Sequence, residues 1–321
     1  MRQHSTKASV AVLVAAAAIV FTACSSSGSS SAPSATAAAS AAASAAASSA
    51  ASASAAASSS EAAASVDPND LLAKILAAGV IRVGTDPAYP PQSELKPDGT
   101  FEGFDIDTAN EIGKRLGVTV KFETPDFSVV EAGKWAGRFD ISVGSVTITK
   151  KRLDNLDFTS PYYYTPAQMA ATTASGITTL DGLAGKTVCV GEATTYYQWI
   201  TGTLALGDGS TLAPVPAGMK ATTLKTDQDC ALSVKSGRHD FDGWLSSSTT
   251  VAAGIAGGSP MVTVGDPVFN EPLAVATDKS GPPHAALQAR LDQIILDMHA
   301  DGTLSAFSKK WFNGLDLTVA K

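Results

Sequence analysis

Only three cysteines and four histidines occur in 321 residues. The histidines have no metal-ligand spacing, and neither a Gly-x-Ser-x-Gly turn nor a cysteine–histidine pattern stands out. Metal centres and nucleophilic hydrolases of the familiar kinds are therefore not expected, and no cofactor is implied. Lysine and arginine number 23 against 30 aspartates and glutamates. They form no basic run and no stripe with interleaved aromatics, which speaks against a nucleic-acid partner. No internal repeat is found. Beyond residue 24 no apolar stretch reaches the roughly 20 residues that a membrane span needs.

The first 66 residues do not read as part of a folded domain. Basic Arg2, His4 and Lys7 precede a short apolar run from Ala8 to Val20, the layout of a secretory signal. Phe21-Thr22-Ala23-Cys24 then resembles a lipobox, which implies cleavage at, and lipidation of, Cys24; Phe21 stands where leucine is usual. An ordinary signal peptide with a chance cysteine is the alternative. Residues 1–24 are thus expected to be a signal that leaves the protein anchored to the outer face of the cell membrane. Residues 25–66 are almost all Ala and Ser without an amphipathic face. They are expected to be a disordered tether. With Cys24 serving the lipid, Cys189 and Cys230 remain, an even pair in an oxidising compartment. A disulfide between them is expected, with two unpaired buried thiols as the alternative.

From Val66 onward short β-rich runs alternate with helical periods, which argues for an α/β architecture. Val80–Gly84 reads as a strand, and Asp98-Gly99 as a hairpin turn. Asp105 is placed to cap a helix whose Ile106, Ala109, Ile112 and Leu116 recur at helical spacing. Val118–Phe122 and Phe139–Val143 read as further strands. A second unit, starting near Gly176, holds strands over Lys186–Val190 and Asp240–Leu245. Its helices follow Thr195 and cover Cys230–Ser236. Leu287, Leu291, Ile294, Ile295 and Met298 mark an amphipathic helix, and Leu304, Phe307 and Trp311 a last one.

Four stretches, in order, carry a resemblance. They are Ile81-Arg-Val-Gly-Thr-Asp-Pro-Ala-Tyr-Pro-Pro91, Gly103-Phe-Asp-Ile-Asp-Thr-Ala-Asn-Glu-Ile-Gly-Lys-Arg-Leu116, Asp140-Ile-Ser-Val-Gly-Ser-Val-Thr-Ile-Thr-Lys-Lys-Arg152 running on to Leu156-Asp-Phe-Thr-Ser-Pro-Tyr162, and Lys309-Lys-Trp-Phe312. Together they resemble the family 3 extracellular solute-binding proteins, the polar amino-acid receptors of ABC importers. Thr108 falls where the signature helix expects an apolar residue. The resemblance implies a two-lobed periplasmic-binding-protein fold (type II-like), its lobes joined by two hinge strands near Tyr164–Ala171 and Phe269–Ala276, with a ligand cleft between them. Lobe one is then expected at 67–168 and 270–321, and lobe two at 169–269.

The same resemblance implies a site. Arg152 matches a carboxylate-binding arginine, whose planar fork suits a bidentate grip. Thr194 and Thr195 match a second carboxylate contact at a helix start. Ser145 and Thr147 match positions that bind the ligand amino group. Tyr89 and Phe127 align with aromatic pocket walls, and Asp86 lies beside them, facing a polar or cationic side chain. One feature departs from the family. The acid expected after Gly237-Arg-His-Asp240 is replaced by Leu245, Ser246 or Ser247, depending on the local alignment. Asp242 is the substitute if the strand is shifted, and Glu192 another source of negative charge. The expected partners are a small-molecule ligand (an amino acid or related carboxylate), an ABC transporter permease, and the membrane through the lipid anchor. The protein is expected to be a monomer and not an enzyme. The rival readings are a sensor or adaptor lipoprotein, which in other cases continues into a spanning segment that this chain lacks before Lys321, and a dehydratase-type enzyme on the same fold.

Overall fold

The structure, a computed structural model, describes residues 67–319. The expected signal, Cys24 and the Ala/Ser tether lie outside the described residues. Asp70 accepts the Leu72 N–H to cap helix α1 (Leu71–Ala78), and left-handed Gly79 stops it. The chain enters β1 (Val80–Gly84) and then a small meander of β2 (Ala88–Tyr89), β3 (Ser93–Leu95) and β4 (Phe101–Glu102). The Asp98-Gly99 turn joins β3 to β4 as its residues foretell, with Lys96 N donating to Thr100 O.

Helix α2 (Phe104–Leu116) is capped by Gly103, not by Asp105. A side chain is excluded at Gly103, where φ is 134° and a Cβ would lie 2.2 Å from the Gln92 carbonyl oxygen. Asp105 turns inward instead. It is fully buried and accepts hydrogen bonds from Ser145 Oγ at 2.7 Å and Tyr162 Oη at 2.8 Å. A carboxylate with two buried hydroxyl donors is better satisfied there than as a solvated cap.

The first half continues with β5 (Thr119–Glu123), α3 (Phe127–Ala132), β6 (Ile141–Thr147), β7 (Leu156–Phe158) and the long β8 (Tyr163–Thr172). The second half holds β9 (Thr187–Gly191), α4 (Thr195–Ile200), β10 (Lys220–Leu224), α5 (Asp227–Lys235), β11 (Gly243–Ser247), α6 (Ser248–Ala256) and β12 (Met261–Thr263). The long β13 (Phe269–Asp278) returns to the first half, which α7 (Ala285–Ala300) and α8 (Thr303–Trp311) complete.

One sheet of ten strands runs through both halves, eight of them in the order β10-β9-β11-β8-β13-β6-β1-β5, with β12 paired on β8 and β7 on β13. Outer strands pair in parallel, β1 with β5 and β6, and β9 with β10 and β11, while β8 and β13 pair antiparallel at its middle. The two lobes have separate apolar cores. One joins Ile81, Ile112, Tyr163 and Leu273 to the inner face of α7, where Leu287, Leu291, Ile294, Ile295 and Met298 are fully buried. Truncating any of these five to alanine is expected to cost about 2–5 kcal/mol. The other gathers Ala167, Met169, Trp199, Leu245 and Phe269, with a neighbouring cluster around Trp244. The chain therefore leaves the first core between Tyr163 and Ala167 and re-enters it between Phe269 and Leu273. These crossings are paired, Tyr163 opposite Leu273 and Ala167 opposite Phe269.

Cys189 on β9 and Cys230 on α5 form a disulfide with Cα atoms 5.8 Å apart. It ties the first turn of α5 to the middle of β9. Helix α5 begins three residues before the expected start, because Thr226 and Asp229 form a reciprocal capping box there.

Candidate functional site

The carboxyl ends of the parallel strands in both lobes point toward the crossing strands, where open α/β sheets hold their ligands. A cavity of about 40 Å³ lies between the lobes at this place. The first lobe lines it with Asp86, Tyr89, Phe127, Gly144, Ser145, Thr147 and Arg152. The second contributes Gly191, Glu192, Thr194, Thr195, Tyr196, Lys225, Thr226 and Asp227, and β13 contributes Glu271. Eight of the nine residues singled out as ligand contacts are thus brought together, and Asp242 is not. Asp242 precedes β11 at the opposite end of that strand, where its carboxylate lies 3.7 Å from Lys186 Nζ and its backbone bridges Thr172 and Thr187. Strand β11 starts three residues later than expected, so Asp242 falls outside the strand and faces away from the cleft.

Arg152 is 1% exposed. Its Nη1 donates to the Thr147 carbonyl and its Nη2 crosses to the Ala193 carbonyl of the other lobe, each at 3.1 Å. The guanidinium carbon stands 5.0 Å from the centre of the Phe127 ring, a cation–π contact. Its Nε has no hydrogen-bond partner, and no carboxylate forms an ion pair with it among the described residues. Burial lowers its pKa, against the opposing pull of the Glu131 and Glu271 carboxylates, neither of which is in salt-bridge contact with it.

Thr194 caps α4 by accepting the Tyr197 N–H. Helix α4 has only six residues, so its dipole adds little, and the case for an anion here rests on Arg152. Ser145 has a left-handed backbone, φ 54°, next to an irregularity in the pairing of β6 with β13. Its hydroxyl is drawn away from the cavity, to Asp105 at 2.7 Å and Tyr163 Oη at 2.6 Å, and its N–H meets Tyr162 Oη. The Ser145 hydroxyl is therefore committed to the core. The Thr147 hydroxyl donates to Glu271 Oε1 at 2.7 Å.

Glu271, which the sequence reading did not single out, lies midway along the crossing opposite Thr165. It is 2% exposed and collects hydroxyl donors from both lobes: Thr147, Thr195, and Tyr196 at 2.7 Å. Asp227 was also missed. It is the first residue of α5, 6% exposed, and its Oδ1 accepts the Gly191 N–H at 2.9 Å. Burial pushes Asp227 up to about 8 and raises Asp86 and Glu271 as well. No short-range motif marks either residue, since each joins the cavity only through folding. The one available signal was the capping box ahead of α5, which places Asp227 at a helix start.

The lobes also touch directly around the cavity. Tyr89 Oη meets Tyr196 Oη at 3.1 Å. Buried Gln92 donates to Ser247 Oγ at 3.0 Å and Thr249 Oγ1 at 2.8 Å, and accepts from Thr250 Oγ1 at 3.2 Å. Lys225 pairs with Asp126 at 2.7 Å on the rim. This is a closed arrangement.

Two lobes on paired crossing strands, shut over a charged polar cavity, define a binding protein that closes on a small solute. The profile of the bacterial extracellular solute-binding proteins, family 3, matches residues 81–314, and the chain belongs to that family. It is 27% identical to the L-cystine-binding protein TcyJ of Escherichia coli K12 over 250 residues, 77% of this chain and 88% of that protein. With an L-arginine-binding protein of Pseudomonas aeruginosa it shares 26% over 243 residues, 73% of this chain and 88% of the relative. Among solved structures it is similar to the ancestral amino acid-binding protein AncCDT-1, a precursor of cyclohexadienyl dehydratase. That likeness has a TM-score of 0.63 and 28% identity, covering 75% of this chain and 99% of the other. An ancestral arginine-binding protein bound to arginine gives a TM-score of 0.62 and 27% identity, over 73% and 98% of the two chains.

Proposed function

We propose that the protein captures an amino acid in the inter-lobe cavity and delivers it to an ABC importer. The observation that carries this reading is Arg152, buried with no carboxylate in salt-bridge contact among the described residues and with its Nε unpartnered at the cavity. A ligand carboxylate supplies what that guanidinium lacks, in a setting where an unpaired charge is costly. Phe127 and Tyr89 form the wall for the ligand side chain, and Asp86 and Glu271 face its polar atoms. The lobes are placed at 67–168 with 270–321, and at 169–269. Closure occurs about the paired crossings of β8 and β13. A ligand favours the closed state only by touching both lobes, and this cavity is lined by both.

The reading includes export, cleavage before Cys24 and lipidation of that cysteine, with the protein acting as a monomer at the outer face of the cell membrane. Binding without chemical conversion is favoured over chemistry at Glu271, whose carboxylate is occupied by three hydroxyl donors. The test is a thermal-shift screen against amino acids, their amines and small carboxylates, with recovered ligand checked for change. A binder at a hundredfold excess over its Kd is expected to add about 2.7 kcal/mol of stability. Arg152→Ala is expected to abolish that shift. Hits that survive Arg152→Ala, or ligand recovered in altered form, would overturn this reading.

A further inference from the structure

Leu245, Ser246 and Ser247, among which the acid expected for the ligand ammonium would fall, carry no charge. Ser246 on β11 is fully buried and its Oγ has no hydrogen-bond partner. That hydroxyl lies beside the carboxylate of Asp227, close enough to act on its ionisation although not in hydrogen-bond geometry. Asp227 reaches the spot from a different element, the first turn of α5. The disulfide between Cys189 and Cys230 holds that turn against β9, and Gly191 leaves room for it: a Cβ there would lie 3.2 Å from Asp227 Cγ. Oδ1 is satisfied by the Gly191 N–H. Oδ2 accepts no hydrogen bond among the described residues and is free to receive a donor from the cavity.

Of the other cavity carboxylates, Glu271 has both oxygens engaged, while Asp86, in the first lobe, matches Asp227 in accepting one backbone N–H, from Ala88 on Oδ1 at 2.7 Å, with Oδ2 open. The inner wall thus sets three acids, Asp86, Asp227 and Glu271, around the single buried cation Arg152, and two of them keep an oxygen open. A zwitterion brings one ammonium group for the two. A ligand with one carboxylate and two cationic nitrogens meets both.

We infer that Asp227 takes over from the strand acid as the second lobe's contact for the ligand ammonium group, and that the solute is a diamino monocarboxylate. The inference rests on the reading of this cavity as an amino-acid site and names the class of its ligand. In the empty protein Asp227 holds a proton where the ligand nitrogen will sit, and binding releases it.

The test is titration calorimetry on the full chain near pH 7 with L-ornithine, L-norvaline, which lacks the second nitrogen, and 1,4-diaminobutane, which lacks the carboxylate. L-Ornithine is expected to bind at least tenfold more tightly than either. Asp227→Asn, which keeps an acceptor for Gly191 N–H, is expected to weaken L-ornithine roughly ten- to a thousandfold. Adding Ser246→Asp should recover most of the loss by returning the acid to β11, a rescue that a merely structural role for Asp227 would not show. Binding of L-ornithine unaltered by Asp227→Asn but abolished by Arg152→Ala would overturn this inference alone. L-Norvaline binding as tightly as L-ornithine would overturn the ligand class. Failure of every amino acid to bind would overturn both this inference and the reading beneath it.

Discussion

Asp227 shows how a single side chain ties stability to pH. Its ordinary value is 3.8, and in the folded protein burial raises it to about 8. Between these values the folded chain holds a proton that the unfolded chain releases. Stability from this group is therefore present at low pH and lost as pH rises through the window from about 4 to about 8. Asp105, raised by burial to about 7, acts in the same direction. The melting temperature of the empty protein is expected to fall across this range, with a limiting slope of about 1.4 kcal/mol per pH unit for each proton involved. Asp227→Asn should remove one proton's share of the slope, and an unchanged pH profile would show that Asp227 is ionised in the empty protein. Ser145 and Thr147 illustrate the same scale. Both were legible as cleft residues, but which way each hydroxyl turns was decided by carboxylates 40 and 124 residues away in the chain, Asp105 and Glu271.

Among the elements, α5 and β9 form the unit that places the acid end of the cavity. Their disulfide spans 41 residues of chain. Replacing Cys189 and Cys230 together by serine is expected to remove about 3–4 kcal/mol in the chain-entropy account, read as a lower denaturation midpoint. Loss of less than about 1 kcal/mol would mean that packing around Trp244 already orders the pair. Periodicity made α2, α7 and α8 readable, because each turns an apolar face to a core. It failed for α6, Ser248–Ala256, whose residues apart from Val251 and Ile255 are small or hydroxylated. That helix is started by Ser247, whose side chain accepts the Thr250 N–H, and covered by Trp244, whose ring lies where a Cβ on Gly254 would stand. β11 also began later than its pattern suggested, and this shift removed Asp242 from the cleft.

At the scale of the whole molecule, closure depends on groups that bridge the lobes away from Arg152. Gln92 makes three buried hydrogen bonds to Ser247, Thr249 and Thr250. Gln92→Ala is expected to shift the empty protein toward an open form, seen as a larger radius of gyration in small-angle scattering. At about 1 kcal/mol for each hydrogen bond lost, apparent ligand affinity should fall roughly ten- to a hundredfold, because the ligand must then drive closure itself. An unchanged radius together with unchanged affinity would show that Gln92 follows closure without favouring it.

The amino-acid sequence by itself determined the α/β class, the two-lobed plan through its resemblance, the cysteine pair, and the arginine of the cleft. These follow from local patterns: alternation, helical period, turn chemistry, and residues fixed in one continuous stretch from Asp140 to Arg152. Only the tertiary structure brought two further acids into the cavity. Asp227 and Glu271 come from a helix start and from the middle of a strand crossing, and the residues around each give no sign of a shared site. They meet Arg152 because β8 and β13 pair across the two lobes and the lobes close on each other. Once shut in there, a carboxylate loses water and gains partners from distant parts of the chain, so its charge and its role are properties of the fold.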